Sequence, residues 1–144
     1  MITQTLTTSF KVQLLQGVHN FGPTSPNTFK IALYSSTASL NADTTVYTAT
    51  GEVTGTGYTA GGKTLTIATS PTSGSAGGTV AYVNFANVTW TGANFVTAGA
   101  LIYNSTQGNK AVAVLNFGNN KTARGTFTIT FPTASATTAI IRVA

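Results

Sequence analysis

The chain has 144 residues, 42% hydrophobic and only 6% charged, with 7 Lys and Arg against 2 Asp and Glu, a net charge of +5 and no Cys. That length fits one ordinary domain with a real core, and the missing Cys exclude disulfides and thiolate metal sites. A typical soluble domain is about 25% charged, so this surface must be built from Thr, Ser, Asn and Gly, and covering it with a neighbouring subunit strips few ions of water.

Residues 1–8 read as an extended arm anchored by Ile2 and Leu6. The opening MITQTLTTSF has neither a basic start nor an apolar run, which predicts no secretory signal. No stretch approaches the roughly 18 apolar residues of a membrane span, so synthesis and folding in a cytoplasm are expected. The single helix expected runs from Ser9, as N-cap, to His19. Phe10, Leu14, Val18 and Phe21 recur on one stripe, Gly17 weakens the middle, and Asn20, Gly22 and Pro23 end it.

From there the chain reads as β. Thr28–Ser35 places Phe29, Ile31 and Leu33 on one face; Thr45–Ala49 and Lys63–Ala68 are short strands; residues 69–79 read as a flexible loop. Val80–Trp90 alternates and then shifts phase, which predicts a bulge near Ala86–Asn87. Val96–Tyr103, Ala111–Phe117, Thr126–Phe131 and Ala139–Val143 complete the set. About seven or eight short strands separated by Gly, Asn, Ser and Pro turns predict an all-β, antiparallel two-sheet sandwich, a jelly roll or another Greek key, with the helix over one open end or edge. The domain is expected to span residues 9–144.

Within this stretch Gly57–Thr64 satisfies G-x-x-x-x-G-K-[ST], the phosphate-binding P-loop pattern. A working P-loop needs a buried strand entering it and a helix leaving it. Upstream, Val53 is the one large apolar residue; downstream, Leu65 and Ile67 alternate with Thr, and Pro71 follows. The expectation is a Gly-rich turn feeding a strand, with Lys63 in solvent.

Other chemistry is scarce. Asp43 and Glu52 are the only carboxylates and both fall in polar segments, where two solvated loop acids are expected rather than a paired acid–base site. His19 is the only histidine and is expected to meet the last carbonyls of the helix. No nucleophile elbow accompanies it, and a His-based metal site would have only the two acids to draw on. No residue is therefore assigned as catalytic, cofactor-binding or metal-ligating, and no cofactor is expected. Trp90 and the five tyrosines could form a sugar-stacking platform; Tyr34, Tyr82 and Tyr103 fall in strands with a core or half-buried role expected, Tyr47 and Tyr58 nearer loops, and the carboxylates that usually accompany such a platform are missing. The cations Lys11, Lys30, Lys63, Lys110, Lys121, Arg124 and Arg142 are scattered rather than gathered in a stripe, which argues against nucleic-acid binding. Sequons at Asn87, Asn104 and Asn120 are what a Thr-rich chain gives by chance.

Seven segments, TSFKVQLLQGVHNF (8–21), TFKIALYSS (28–36), GYTAGGKTL (57–65), VNFANVTW (83–90), GALIYNS (99–105), NKAVAVLNFG (109–118) and GTFTITFPT (125–133), resemble a group of small structural proteins of tailed bacteriophages. The resemblance implies a non-enzymatic virion component, a capsid decoration or cement protein or else a neck or tail component that could include a receptor- or glycan-binding module. Its implied partners are the major capsid protein or other virion proteins, with a homo-oligomer in the assembled particle. The arm and the 69–79 loop are the expected contacts. No site residue is carried over with the resemblance.

Overall fold

The chain's β-branched and aromatic runs fold into two antiparallel sheets, with one short helix, in a computed structural model that describes residues 1–74 and 78–144. The elements are β1 (Thr5–Leu6), α1 (Thr8–Leu15), β2 (Phe29–Tyr34), β3 (Lys63–Thr64), β4 (Ile67–Ser73), β5 (Ala81–Phe85), β6 (Val88–Asn104), β7 (Lys110–Ile129) and β8 (Ile141–Val143). One sheet has the order β1-β7-β6-β2-β3, the other β4-β5-β8. This is the expected all-β sandwich with a single N-terminal helix. Its main core lies between the sheets, built from Phe29, Ile31 and Leu33 of β2, Val83 and Phe85 of β5, Ile141 of β8, and the inward residues of β6 and β7.

The helix is shorter than expected, for local reasons. Thr7 rather than Ser9 is the N-cap, its hydroxyl accepting from the Phe10 amide at 3.3 Å. At the other end the Val18 amide reaches the Gln13 carbonyl (2.9 Å) and the Gly17 amide reaches Leu14 (3.2 Å), with Gly17 at φ 73°. Those two bonds are a Schellman stop, for which glycine is the favoured residue. Gly17 therefore ends the helix instead of weakening its middle, and Phe21 joins the core from beyond it. The N-terminal segment is held by its own domain. Ile2 is buried, the Thr3 amide bonds the Leu40 carbonyl at 2.8 Å, and β1 pairs antiparallel with Ala113 and Val114 of β7.

The expected strands at Val96–Tyr103, Ala111–Phe117 and Thr126–Phe131 prove to be parts of two long ones. β6 and β7 form one hairpin of 17 and 20 residues. The glycines that look like turn signals lie within it: Gly92 (φ 58°) is the extra residue of a bulge, and Gly118 (φ 81°) sits in the irregular stretch opposite Thr97–Gly99. The phase shift at Ala86–Asn87 is no bulge. These two residues carry the chain from β5 in the small sheet to β6 in the large one. Leu65–Thr66 makes the same crossing between β3 and β4, and the Ala86 amide ties the crossings together through the Thr66 carbonyl at 2.9 Å. Thr45–Ala49 is not a strand and contributes one bridge, Val46 to Lys110. In the segment expected as a loop, Thr69–Ser73 belong to β4, while 75–77 lie outside the described residues.

Candidate functional site

The structure makes Glu52 the centre of a connected polar group. Its carboxylate accepts from the Tyr47 and Tyr58 hydroxyls, each at 2.6 Å, and from the Gly61 amide at 2.7 Å. Tyr58 in turn accepts the Leu33 amide of β2 at 2.9 Å, and Tyr103 of β6 donates to the Gly61 carbonyl at 2.6 Å. Tyr47 stacks on Tyr103 with ring centroids 4.9 Å apart. Glu52 is thus half-buried and fully engaged, not the solvated loop acid expected from its Gly/Thr surroundings; Asp43 is exposed. Burial first, and the Glu52 charge and hydrogen bonds second, raise the phenols: Tyr47 is pushed up to about 12, and Tyr34, Tyr58 and Tyr103 are raised as well. These hydroxyls remain protonated donors across the neutral range.

The same network explains GYTAGGKTL. The Gly61 amide, which a P-loop would offer to phosphate, is given to the Glu52 carboxylate. Gly62 (φ 73°) presses on β2 so closely that an added Cβ would overlap the Ile31 carbonyl, and Gly57 (φ 81°) leaves too little room for a Cβ against Gly92 and Ala93. The following Lys63–Thr64 is strand β3, paired with Ile31 and Lys30. The expected Gly-rich turn feeding a strand is what the chain forms. Lys63 is exposed but tethered: its ammonium donates to the Thr89 carbonyl at 2.7 Å and lies 5.9 Å from the centre of the Trp90 ring. The segment works as a latch binding the 52–64 region to β2 and β6.

His19 is buried and does not meet the helix carbonyls. Its Nε2 is 2.8 Å from the Gln13 Oε1, and its Nδ1 accepts from the Asn104 Nδ2 at 3.0 Å, which sets the neutral tautomer with the proton on Nε2. Asn104, itself fully buried, also donates to Asn27 and accepts the Thr106 amide. The imidazole lies against Phe10, centroids 4.9 Å apart. Burial, and then the positive charge of Lys110, lower its pKa. This group fastens the turn after α1 to the end of β6, and buries one sequon, Asn104, within it.

Trp90 is buried beneath Lys63, and Tyr58 is half-buried beside Trp90 and Phe95 with its hydroxyl occupied, so the two do not present a stacking platform. The carboxylate of Glu52 and the imidazole of His19 belong to separate networks, and among the described residues no group of three His, Cys, Asp or Glu could hold a metal ion. No helix among the described residues is long and apolar enough to cross a membrane. The most apolar cleft, about 100 Å³, is bordered by Leu14, Phe21, Tyr82 and Val143. The Glu52 network could not be assigned from sequence because its partners stand five residues before and six after it across turns; the usable signal was a lone acid flanked by two tyrosines in a segment otherwise free of charge. No family model, curated protein or solved structure matches the chain.

Proposed function

We propose that this chain is a non-enzymatic structural protein of a tailed-bacteriophage virion, most consistent with a capsid decoration or cement protein that bridges capsid subunits. The observation that carries the reading is how the polar groups are used. Of the three side chains best suited to acid–base chemistry, Glu52 and His19 are spent on internal hydrogen bonds, while the exterior is a Thr-, Asn- and Gly-rich β surface with few charges to desolvate. The similarity of seven segments to phage structural proteins supplies the setting. Each copy would add buried area across a subunit junction, on the order of several kcal/mol for an interface of standard size. A neck or tail position is the competing assignment.

The test is the location and copy number of the protein on purified particles, by electron microscopy and a stained gel. Hundreds of copies on the shell are expected. Six or twelve copies would move the protein to the neck or tail, and absence from particles would remove the virion assignment.

A further inference from the structure

The distal part of β7 is an open strand edge. β7 has two neighbours in its sheet, β6 and β1, and β1 covers only Ala113 and Val114. Gln4 and Ile2 extend that cover by side-chain bonds to Asn116. From Lys121 to Ile129 the strand pairs with β6 on one side and, among the described residues, with no strand on the other. Natural edges of this length are usually shortened, covered or bent away.

This one borders a recess. Phe117 and Phe127 are half-buried, their rings 6.2 Å apart, and with Lys121, Ile129 and Thr130 they line a cleft of about 250 Å³ to which no strand but β7 contributes. Lys121, Phe127 and Ile129 share the inward side by strand alternation. Lys63 and Lys110 give their ammonium groups to backbone carbonyls, whereas Lys121 has no such bond among the described residues. Arg124 adds a second positive charge on the strand's other face.

We propose that Lys121–Ile129 of β7 accepts an extended segment of another protein as an added antiparallel strand, one that turns apolar side chains onto Phe127 and Phe117 and a carboxylate toward Lys121. The same edge already takes an antiparallel strand, β1, a few residues upstream, so the incoming segment continues an existing arrangement. Main-chain hydrogen bonds supply the affinity and the alternate side chains the selectivity. Charge decides against a second copy as occupant. Two copies of Lys121–Ile129 paired antiparallel over their whole length would set the two Arg124 side chains diagonally across the seam on one face, the segment itself carries no acid, and with Glu52 committed to its tyrosines only Asp43 could answer them. The inference rests on the proposed function only in taking the partner to be a protein.

The probe is a short acetylated and amidated peptide, Thr-Leu-Thr-Val-Ser-Ala-Thr-Asp-Thr, titrated into the full chain. Binding with a Kd below about 1 mM is expected, with new amide-exchange protection confined to Lys121–Ile129. Replacing the peptide's Asp by Lys, or Lys121→Glu in the protein, should weaken binding by about fivefold or more. N-methylation of the peptide at alternate residues should abolish binding in one phase and leave it within about twofold in the other, a pattern specific to strand addition. No binding at 1 mM, indifference to the methylation phase, protection elsewhere, or a concentration-dependent dimer that closes the edge by itself would each overturn the proposal. Peptide binding by a protein absent from particles would keep the acceptor edge and remove the virion reading. Particles that carry the protein with Lys121–Ile129 exchanging freely would do the reverse.

Discussion

The two halves of the β6–β7 hairpin are made by the same two strands yet live in different surroundings. In the half formed by Gly99–Asn104, every β6 residue is buried. Ala100 and Ile102 face the core between the sheets, while Leu101 and Tyr103 face a second core closed by Ile2, Tyr34, Ala38 and Leu40. In the half formed by Val88–Val96, buried Val88, Trp90, Ala93 and Phe95 are interleaved with Thr89, Thr91, Asn94 and Val96 on the outer side. A strand covered on both faces is apolar without a break, and one covered on a single face alternates. GALIYN and VTWTGANFV are those two patterns in one strand. The covered half is roofed by Ala38, Leu40 and Tyr47, held down by the Glu52 latch; in the other half the Gly55–Gly57 stretch packs along the Gly92–Phe95 backbone, but Thr91, Asn94 and Val96 stay exposed and the β7 strand ends in an open edge.

The largest effects should follow from lifting the roof. Gly62→Ala drives a methyl group into the Ile31 carbonyl at φ 73°, where neither backbone can yield cheaply. A loss of at least about 3 kcal/mol is expected in chemical denaturation; a change below about 1 kcal/mol would show that the loop is not seated on β2. Ile102→Ala in the covered half should cost about 2–5 kcal/mol, against less than about 0.5 kcal/mol for Val96→Ala, which is 46% exposed in the open half. Equal losses at the two positions would erase the distinction between the halves.

Glu52→Gln is the next step down. The amide keeps the shape but offers one oxygen where two phenols and the Gly61 amide now converge. A destabilisation of about 1–3 kcal/mol is expected, together with faster amide exchange in β2 than in the Lys121–Ile129 edge's partner strand relative to the native chain. Stability unchanged by Glu52→Gln would mean that the tyrosines hold the roof by packing alone.

Much of this was legible in the residues. The all-β class, the single helix, the inward set Phe29, Ile31 and Leu33, and the Gly-rich turn of GYTAGGKTL feeding a strand all follow from period and context. The length of β6 and β7 was hidden because Gly92, Gly118 and Gly125 look like turn residues and act as bulge or irregular positions inside strands. A bulge and a hairpin turn ask for the same positive φ, so composition cannot separate them. The sheet crossing at Ala86–Asn87 produced a phase shift, which was visible, but a shift has two causes and only the partner strands tell them apart. The roles of Glu52 and His19 were not legible, since their partners, the Gly61 amide, Asn104 and the tyrosines, come together only through tertiary contacts.

His19 gives a smaller effect with a defined sign. Its folded pKa lies below the ordinary 6.5, because burial and Lys110 disfavour the imidazolium. Between the two values the unfolded chain binds the additional proton, so stability is complete above pH 6.5 and falls as pH drops through that window until the folded pKa is passed. Thermal unfolding followed from pH 8 to 5 should show Tm declining below 6.5 for the native chain and a flatter profile for His19→Gln. A rise of Tm on acidification would contradict the neutral tautomer that Gln13 and Asn104 impose.

The smallest change expected is at Lys63, on the open half. Its ammonium bonds the carbonyl of half-buried Thr89 and sits over Trp90, but it lies in solvent, where such contacts contribute about 0.5–1 kcal/mol. Lys63→Ala should therefore lower stability by no more than that, and should leave any weak nucleotide affinity, measured by calorimetry with a nucleoside triphosphate, as it was. The reason is geometric: the amide of Gly61, two residues before the lysine in the phosphate-binding pattern, already faces Glu52, and a triphosphate would have to displace a carboxylate to reach it. Tight, Lys63-dependent nucleotide binding would require the latch to open, and the roof over the covered half would then have to loosen in the same measurement.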